Sequence, residues 1–253
     1  MKLGAQFYSI RTESTTPEKL LASMHKIKAI GYDVMQASGI CQIEGAQLKS
    51  FIDETNLPIT CTHRPYDEIV KTTKECIEFH KEINCPVIGI GSMPQDYRTS
   101  YEGLKEFKKI MAEPVKMIRD AGLRFAYHNH AFEFENPEGI NVYDFLIEEM
   151  PDIDFILDVY WMHYAGQDYF KYIKLIAEAG RMTDIHFKDM KTEPKGPICP
   201  CGEGVIDFAP LVPFCKSLGI KNAHVEQDNA PDLGDVFEQM ASSYKHLSPL
   251  FEV

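Results

Sequence analysis

Four short apolar runs in the second half of the chain end on side chains that can hold a divalent metal. FAYHNH carries His128 and His130, FILDVYW carries Asp158, DIHFKD carries His186, and AHVEQD carries Glu226. Each run reads as a buried strand, and side chains two apart on a strand point the same way. His128 and His130 therefore share a face, as do His186 with Lys188, and His224 with Glu226 and Asp228. Two carboxylates with one or two imidazoles suit Mn²⁺, Zn²⁺, Co²⁺, Fe²⁺ or Mg²⁺, with positions left open for the oxygens of a small ligand. A fold that uses these residues has to bring four strand ends to one pocket.

The elements that could do so alternate from end to end. Strand-like segments fall near 3–9, 32–37, 58–63, 86–92, 123–130, 153–160, 184–189 and 221–228, each followed by a segment with helical apolar spacing. Thr16-Pro17 supplies an N-cap and a first-turn proline before Leu20, Leu21, Met24 and Ile27, and Asp207 can cap 208–218. Gly31, Gly122, Gly180 and Gly219 each stand just past a helical run and just before a strand, where a left-handed residue closes the last turn. Helix 99–121 contains Pro114, which predicts a kink or a new turn. Eight βα units in a chain of 253 residues match the size of a closed (β/α)₈ TIM barrel, whose active sites form at the C-terminal ends of its strands. An open doubly wound sheet fits less well, because the first βα turn, Tyr8-Ser9-Ile10-Arg11, has no G-x-G-x-x-G. With no low-complexity linker or break in composition, residues 1–253 are expected to form one domain.

Composition narrows the partners. A formal charge of −12 argues against a nucleic-acid surface. No apolar stretch approaches 18 residues, and the opening MKLGAQFYSIR lacks the basic-then-apolar pattern of a signal peptide, so a cytoplasmic protein without membrane contact is expected. Seven cysteines form no regular framework and are expected to be reduced. Cys199-Pro-Cys201 has one residue fewer between its cysteines than most zinc or redox pairs.

Taken together, GAQFYSIR, FAYHNHAFEF, LDVYWMHYAGQD, DIHFKDM, GEGVIDF and HVEQD resemble the sugar phosphate isomerase/epimerase barrels of the xylose isomerase-like superfamily, which also holds inosose dehydratases, tagatose epimerases and endonuclease IV-like proteins. The likeness spans the whole chain. It implies a metal set of Glu, Asp, His and Glu from four strand ends, of which Asp158, His186 and Glu226 carry over. Where many relatives read Glu-Asn-His, this chain reads His128-Asn129-His130. His128 is then either an imidazole ligand or a base or substrate contact beside a three-ligand metal. The implied chemistry is removal of a proton next to a carbonyl through an enediolate, with Glu226, His128 or His130 as base and Lys188 holding a sugar hydroxyl or enediolate oxygen. Here Glu226 alone persists of the two glutamates that relatives place on opposite faces of the substrate.

Substrate contacts are expected from His63, at the end of the third strand, from Tyr8, Tyr160 and Trp161 as a stacking wall, and from Glu133 and Glu203 in rim loops, while Phe7 reads as core. Loop 190–206, with Gly196, Gly202 and Gly204, could cradle a phosphate, but Arg11 and Arg64 are the arginines near strand ends. The partner is expected to be a small sugar or polyol ketone, with homo-oligomerisation as in many relatives. Three readings remain open at this point: a metal-dependent isomerase or epimerase, which is preferred; a lyase or dehydratase on a keto-sugar, keto-glycoside or inosose; and a sugar-binding barrel without turnover.

Overall fold

A computed structural model describes residues 1–135 and 137–252. Eight parallel strands close into a barrel: β1 (Lys2–Gln6), β2 (Val34–Ala37), β3 (Ile59–His63), β4 (Val87–Ile90), β5 (Arg124–His128), β6 (Asp154–Asp158), β7 (Met182–Phe187) and β8 (Asn222–Val225). Each strand pairs with its neighbours in sequence, and β1 closes the ring against β8. Strands in such a ring are covered by helices outside and by packed side chains inside, so they read as continuous apolar runs; β2, β4 and β6 are buried at every residue. Two further strands, Asp189–Met190 and Ile198–Cys199, form a small antiparallel ribbon beside the barrel.

The helix signals hold. Thr16 accepts a hydrogen bond from the Lys19 N–H, with Pro17 opening the helix, and Asp207 caps the helix Phe208–Ser217. Gly31, Gly122, Gly180 and Gly219 all take positive φ, from 70° to 124°, as a tight αβ turn requires. Pro114 does not divide its helix, which runs unbroken over Tyr101–Asp120. Leu104, Phe107, Met111, Val115 and Ile118 form one buried stripe that docks the helix on both sides of the proline. No helix among the described residues is long and apolar enough to cross a membrane.

Six of the eight expected strands end two or three residues early, and for the first and sixth a side chain gives the reason. The first stops at Gln6, whose amide oxygen accepts the Tyr8 N–H at 2.7 Å and opens a 3₁₀ turn over Phe7–Glu13. The fifth stops at His128. The sixth stops at Asp158, whose carboxylate accepts the Trp161 N–H at 3.1 Å and starts the helix Val159–Tyr164. Tyr8, His130, Tyr160 and Trp161 therefore sit on short rim segments, of which Tyr8 and His130 face the cleft.

Candidate metal centre at the mouth of the barrel

Consecutive strands deliver His128, Asp158, His186 and Glu226 to one point, with one donor atom from each lying within 4.8 Å of all the others. All four are buried, at 0–4% exposure. Each has a second polar atom fixed from behind, which leaves a defined front atom facing the centre. His128 donates Nδ1–H to the Gly91 carbonyl at 3.0 Å, which turns the Nε2 lone pair inward. His186 is 2.5 Å from the Gln36 amide oxygen through Nε2, so its inward nitrogen is Nδ1. Asp158 uses Oδ1 to cap its helix and presents Oδ2. Glu226 accepts the Gln6 amide through Oε1 at 2.8 Å and presents Oε2. Asn129 adds a clasp on the Asp158 backbone, accepting its N–H at 2.9 Å and donating to its carbonyl at 3.3 Å.

Lys188 neutralises the carboxylates. Its ammonium lies 2.8 Å from Glu226 Oε2, 3.1 Å from Asp158 Oδ2 and 2.8 Å from Asp228 Oδ2, at 1% exposure. Burial alone would raise the Asp158 and Glu226 carboxyls, but the Lys188 charge and the facing imidazoles outweigh it and hold both well below the usual carboxylate range. Burial likewise works against a charged His186, yet Glu226 and Asp158 raise it to about 9. Carboxylates held ionised, imidazoles whose outer nitrogens are engaged and donor atoms this close match the requirements of a borderline divalent ion.

Above the centre lies a cleft of about 470 Å³ whose walls include Tyr8, His63, His130, Glu226 and Asp228. His63 packs tilted against both His128 and His186, with ring centroids 5.0 and 5.8 Å away. Its Nε2 and His130 Nδ1 are buried without a hydrogen-bond partner among the described residues. Trp161 sits behind His130, with its ring 5.2 Å from the Lys188 ammonium. Tyr160 also buries its ring, and its hydroxyl donates to the Gly196 carbonyl. Phe7 is core, as expected.

Other expected residues stand elsewhere. Glu203 is exposed away from the cleft, accepting from Ser242 at 2.8 Å and lying 3.6 Å from Lys191. Glu133 is fully buried rather than on the rim: it accepts from the Tyr127 hydroxyl and the His130 N–H, both at 2.8 Å, and burial raises its carboxyl to about 7. Asp189 serves the loop that follows it. It accepts from the N–H groups of Met190, Gly202, Gly204 and Ile206 at 2.7–3.0 Å, so the glycine-rich loop already cradles a carboxylate of this chain. All seven cysteines are free, and Cys199 and Cys201 join no group of metal donors among the described residues.

Sequence reasoning overlooked Gln6, Gln36 and Gly91, which orient the ligands. A signal existed for the glutamines, since each is an amide inside an otherwise apolar strand, in KLGAQ and VMQA.

The family model for xylose isomerase-like TIM barrels matches residues 24–251. The chain belongs to that family. No curated protein matches it in sequence. Among solved structures, a sugar phosphate isomerase/epimerase from Parabacteroides distasonis superposes with a TM-score of 0.80 at 20% identity, covering 98% of this chain and 95% of its own. A D-allulose 3-epimerase from Methylomonas sp. gives 0.75 at 14% identity, with 99% and 98% covered. The IOLI protein, solved with a bound zinc atom, gives 0.73 at 15%, also with 99% and 98% covered. At these identities the likeness establishes the shared barrel.

Proposed function

We propose that this member of the family is a divalent-metal-dependent sugar isomerase or epimerase that moves a proton on the carbon beside a ketone. The observation that carries the reading is the convergence of His128 Nε2, Asp158 Oδ2, His186 Nδ1 and Glu226 Oε2 beneath a polar cleft, each donor held from behind. An ion bound there would polarise a ketone oxygen and offset the charge that grows on it when the neighbouring carbon is deprotonated.

The remaining work falls to side chains. Glu226 and Asp228 reach the cleft from the end of β8, while His63 and His130 reach it from the ends of β3 and β5. A bound substrate can therefore meet carboxylates on one side and neutral imidazoles on the other. His128, standing where relatives carry a carboxylate, lies 3.9 Å from Glu226 and serves as a ligand in this reading. Burial holds His63 well below its ordinary value and His130 at about 3, so both are neutral and offer a nitrogen to a sugar hydroxyl. Lys188 sets the charge balance of the carboxylates, and Tyr8 lines the opening, while Trp161 backs His130.

An unphosphorylated ketose or polyol ketone fits best. The loop amides that could bind a phosphate already hold Asp189, Arg11 donates to the Tyr8 and Asp228 carbonyls, and Arg64 pairs with Glu68. The test is incubation of chelator-stripped, Mn²⁺- or Co²⁺-reloaded protein with unphosphorylated ketoses and inososes in D₂O. Deuterium at the α-carbon of an epimer with an intact skeleton is expected. Release of water or an aglycone would reassign the protein to the lyases, and absence of exchange with every metal would leave a sugar-binding barrel.

A further inference from the structure

One pleat below His63, His186 and Glu226, strands β3, β7 and β8 carry a second set of donors. Cys61 lies two residues before His63, Asp184 two before His186, and His224 two before Glu226, so the period of two that aims the upper residues inward aims these inward as well. One donor atom from each lies within 4.8 Å of the others, and all three residues are 0–1% exposed.

The hydrogen bonds around them fix which atoms remain free. Thr60 donates its hydroxyl proton to Asp184 Oδ1 at 3.3 Å. Its oxygen, 2.9 Å from His224 Nε2, then accepts from the ring, which leaves the lone pair on Nδ1. That Nδ1 lies 3.5 Å from Asp184 Oδ1. His224 Nδ1 and Asp184 Oδ2 both lack a hydrogen-bond partner among the described residues, and Asn222 and the Cys61 thiol stand beside the carboxylate. Two acceptor atoms thus meet in the dry interior, with the Cys61 thiol as the proton donor beside Asp184.

The surroundings hold the imidazole in this place. At Gly4 on β1, a Cβ would meet His224 Cδ2 at 2.4 Å and Nε2 at 2.8 Å, so the ring packs directly on bare backbone. Any larger residue there would push it out of the cluster.

We propose that Cys61, Asp184 and His224 form a second metal site, buried in the barrel core and suited to Zn²⁺ or a similar borderline ion. Thiolate, imidazole and carboxylate are the three side-chain donors zinc takes, and sulfur separates this set from the harder one above it. Binding replaces the Cys61 S–H bond by a sulfur–metal bond and releases that proton to solvent. The product joins a dication to one thiolate and one carboxylate, so it is neutral overall and avoids burying net charge. Thr60 holds the histidine tautomer, as the outer partner of a metal ligand does. The proposal does not depend on the catalytic reading of the upper centre.

Titration of the metal-free protein with Co²⁺, without oxygen, tests it. Two equivalents are expected. One should bring a thiolate-to-cobalt charge-transfer band in the near ultraviolet, which the upper centre, lacking sulfur, cannot give. Cys61→Ser should lose that band and one equivalent; Cys85→Ser should keep both; His186→Ala should lose one equivalent and keep the band. X-ray absorption of the zinc-loaded wild-type protein guards against misfolded variants and should show sulfur at about 2.3 Å. A single equivalent without sulfur would overturn the proposal and leave a proton shared between Asp184 and His224.

Discussion

Replacing Lys188 by methionine removes an ammonium that touches three carboxylates at 2.8–3.1 Å in a place with 1% exposure, while leaving a side chain of similar length. Without it, Asp158 and Glu226 face each other across the centre with fewer positive charges nearby. Removing one partner of a buried ion pair typically costs about 3–5 kcal/mol. His186, raised to about 9 in the metal-free protein, still supplies one positive charge at neutral pH, which places the expected loss near the lower end, about 3 kcal/mol. For a chain of this length that corresponds to a fall in Tm on the order of 10 °C. The assay is thermal or urea unfolding at pH 7, first with chelator and then with saturating Mn²⁺. Because the dication supplies charge that the variant lacks, Mn²⁺ should raise the variant's Tm more than that of the wild-type protein. A variant that unfolds in chelator within about 1 kcal/mol of wild type would refute the claim that Lys188 neutralises this cluster.

Three further outcomes follow from the same groups. Since His186 is protonated below about 9 when no metal is bound, Mn²⁺ uptake by the Cys61→Ser protein at pH 7 should expel close to one proton; calorimetry in buffers of different ionisation enthalpy reads it directly, and uptake without proton release would contradict the arrangement. Glu133, raised to about 7 by burial, holds its proton more tightly when folded than unfolded. It therefore stabilises the fold fully below pH 4.5, and this contribution, up to about 3 kcal/mol, is lost as pH rises to 7; Glu133→Gln should flatten that stretch of the stability curve. Asp189→Asn removes the charge shared by four loop N–H groups and should cost about 2 kcal/mol, with faster hydrogen exchange at Gly202, Gly204 and Ile206; unchanged exchange would count against the loop's dependence on that carboxylate.

The barrel was legible because its signals are local and repeat: apolar runs of strand length, capping residues before helices, and glycines where the chain turns back. His128, Asp158, His186 and Glu226 were legible for the same reason, each ending such a run. Strand ends were less so, because Gln6 and Asp158 terminate their strands by turning side chains onto backbone two or three residues ahead, which no hydrophobic pattern records. The outer partners were harder still. Gln36 meets His186 across 150 positions of sequence, and Gln6 meets Glu226 across 220, so only closure of the ring brings them together. Glutamates 133 and 203 both leave the rim expected of them: the first is drawn inside by Tyr127, and the second is held away from the cleft by Ser242 and Lys191. The glycines of loop 190–206 did mark an anion cradle, but its occupant, Asp189, lies just upstream of the loop.

Asp158 divides its two oxygens between the start of a helix and the centre below it. A pull on one oxygen is therefore a pull on the first turn of Val159–Tyr164, and the residue whose N–H is held there is Trp161, the single tryptophan of the chain. Its indole stands beside His130 and above the Lys188 ammonium, where both ring stacking and local charge affect its emission. The protein thus carries its own optical gauge, and the arrival of an ion or a sugar at the mouth can be followed by fluorescence without adding a label.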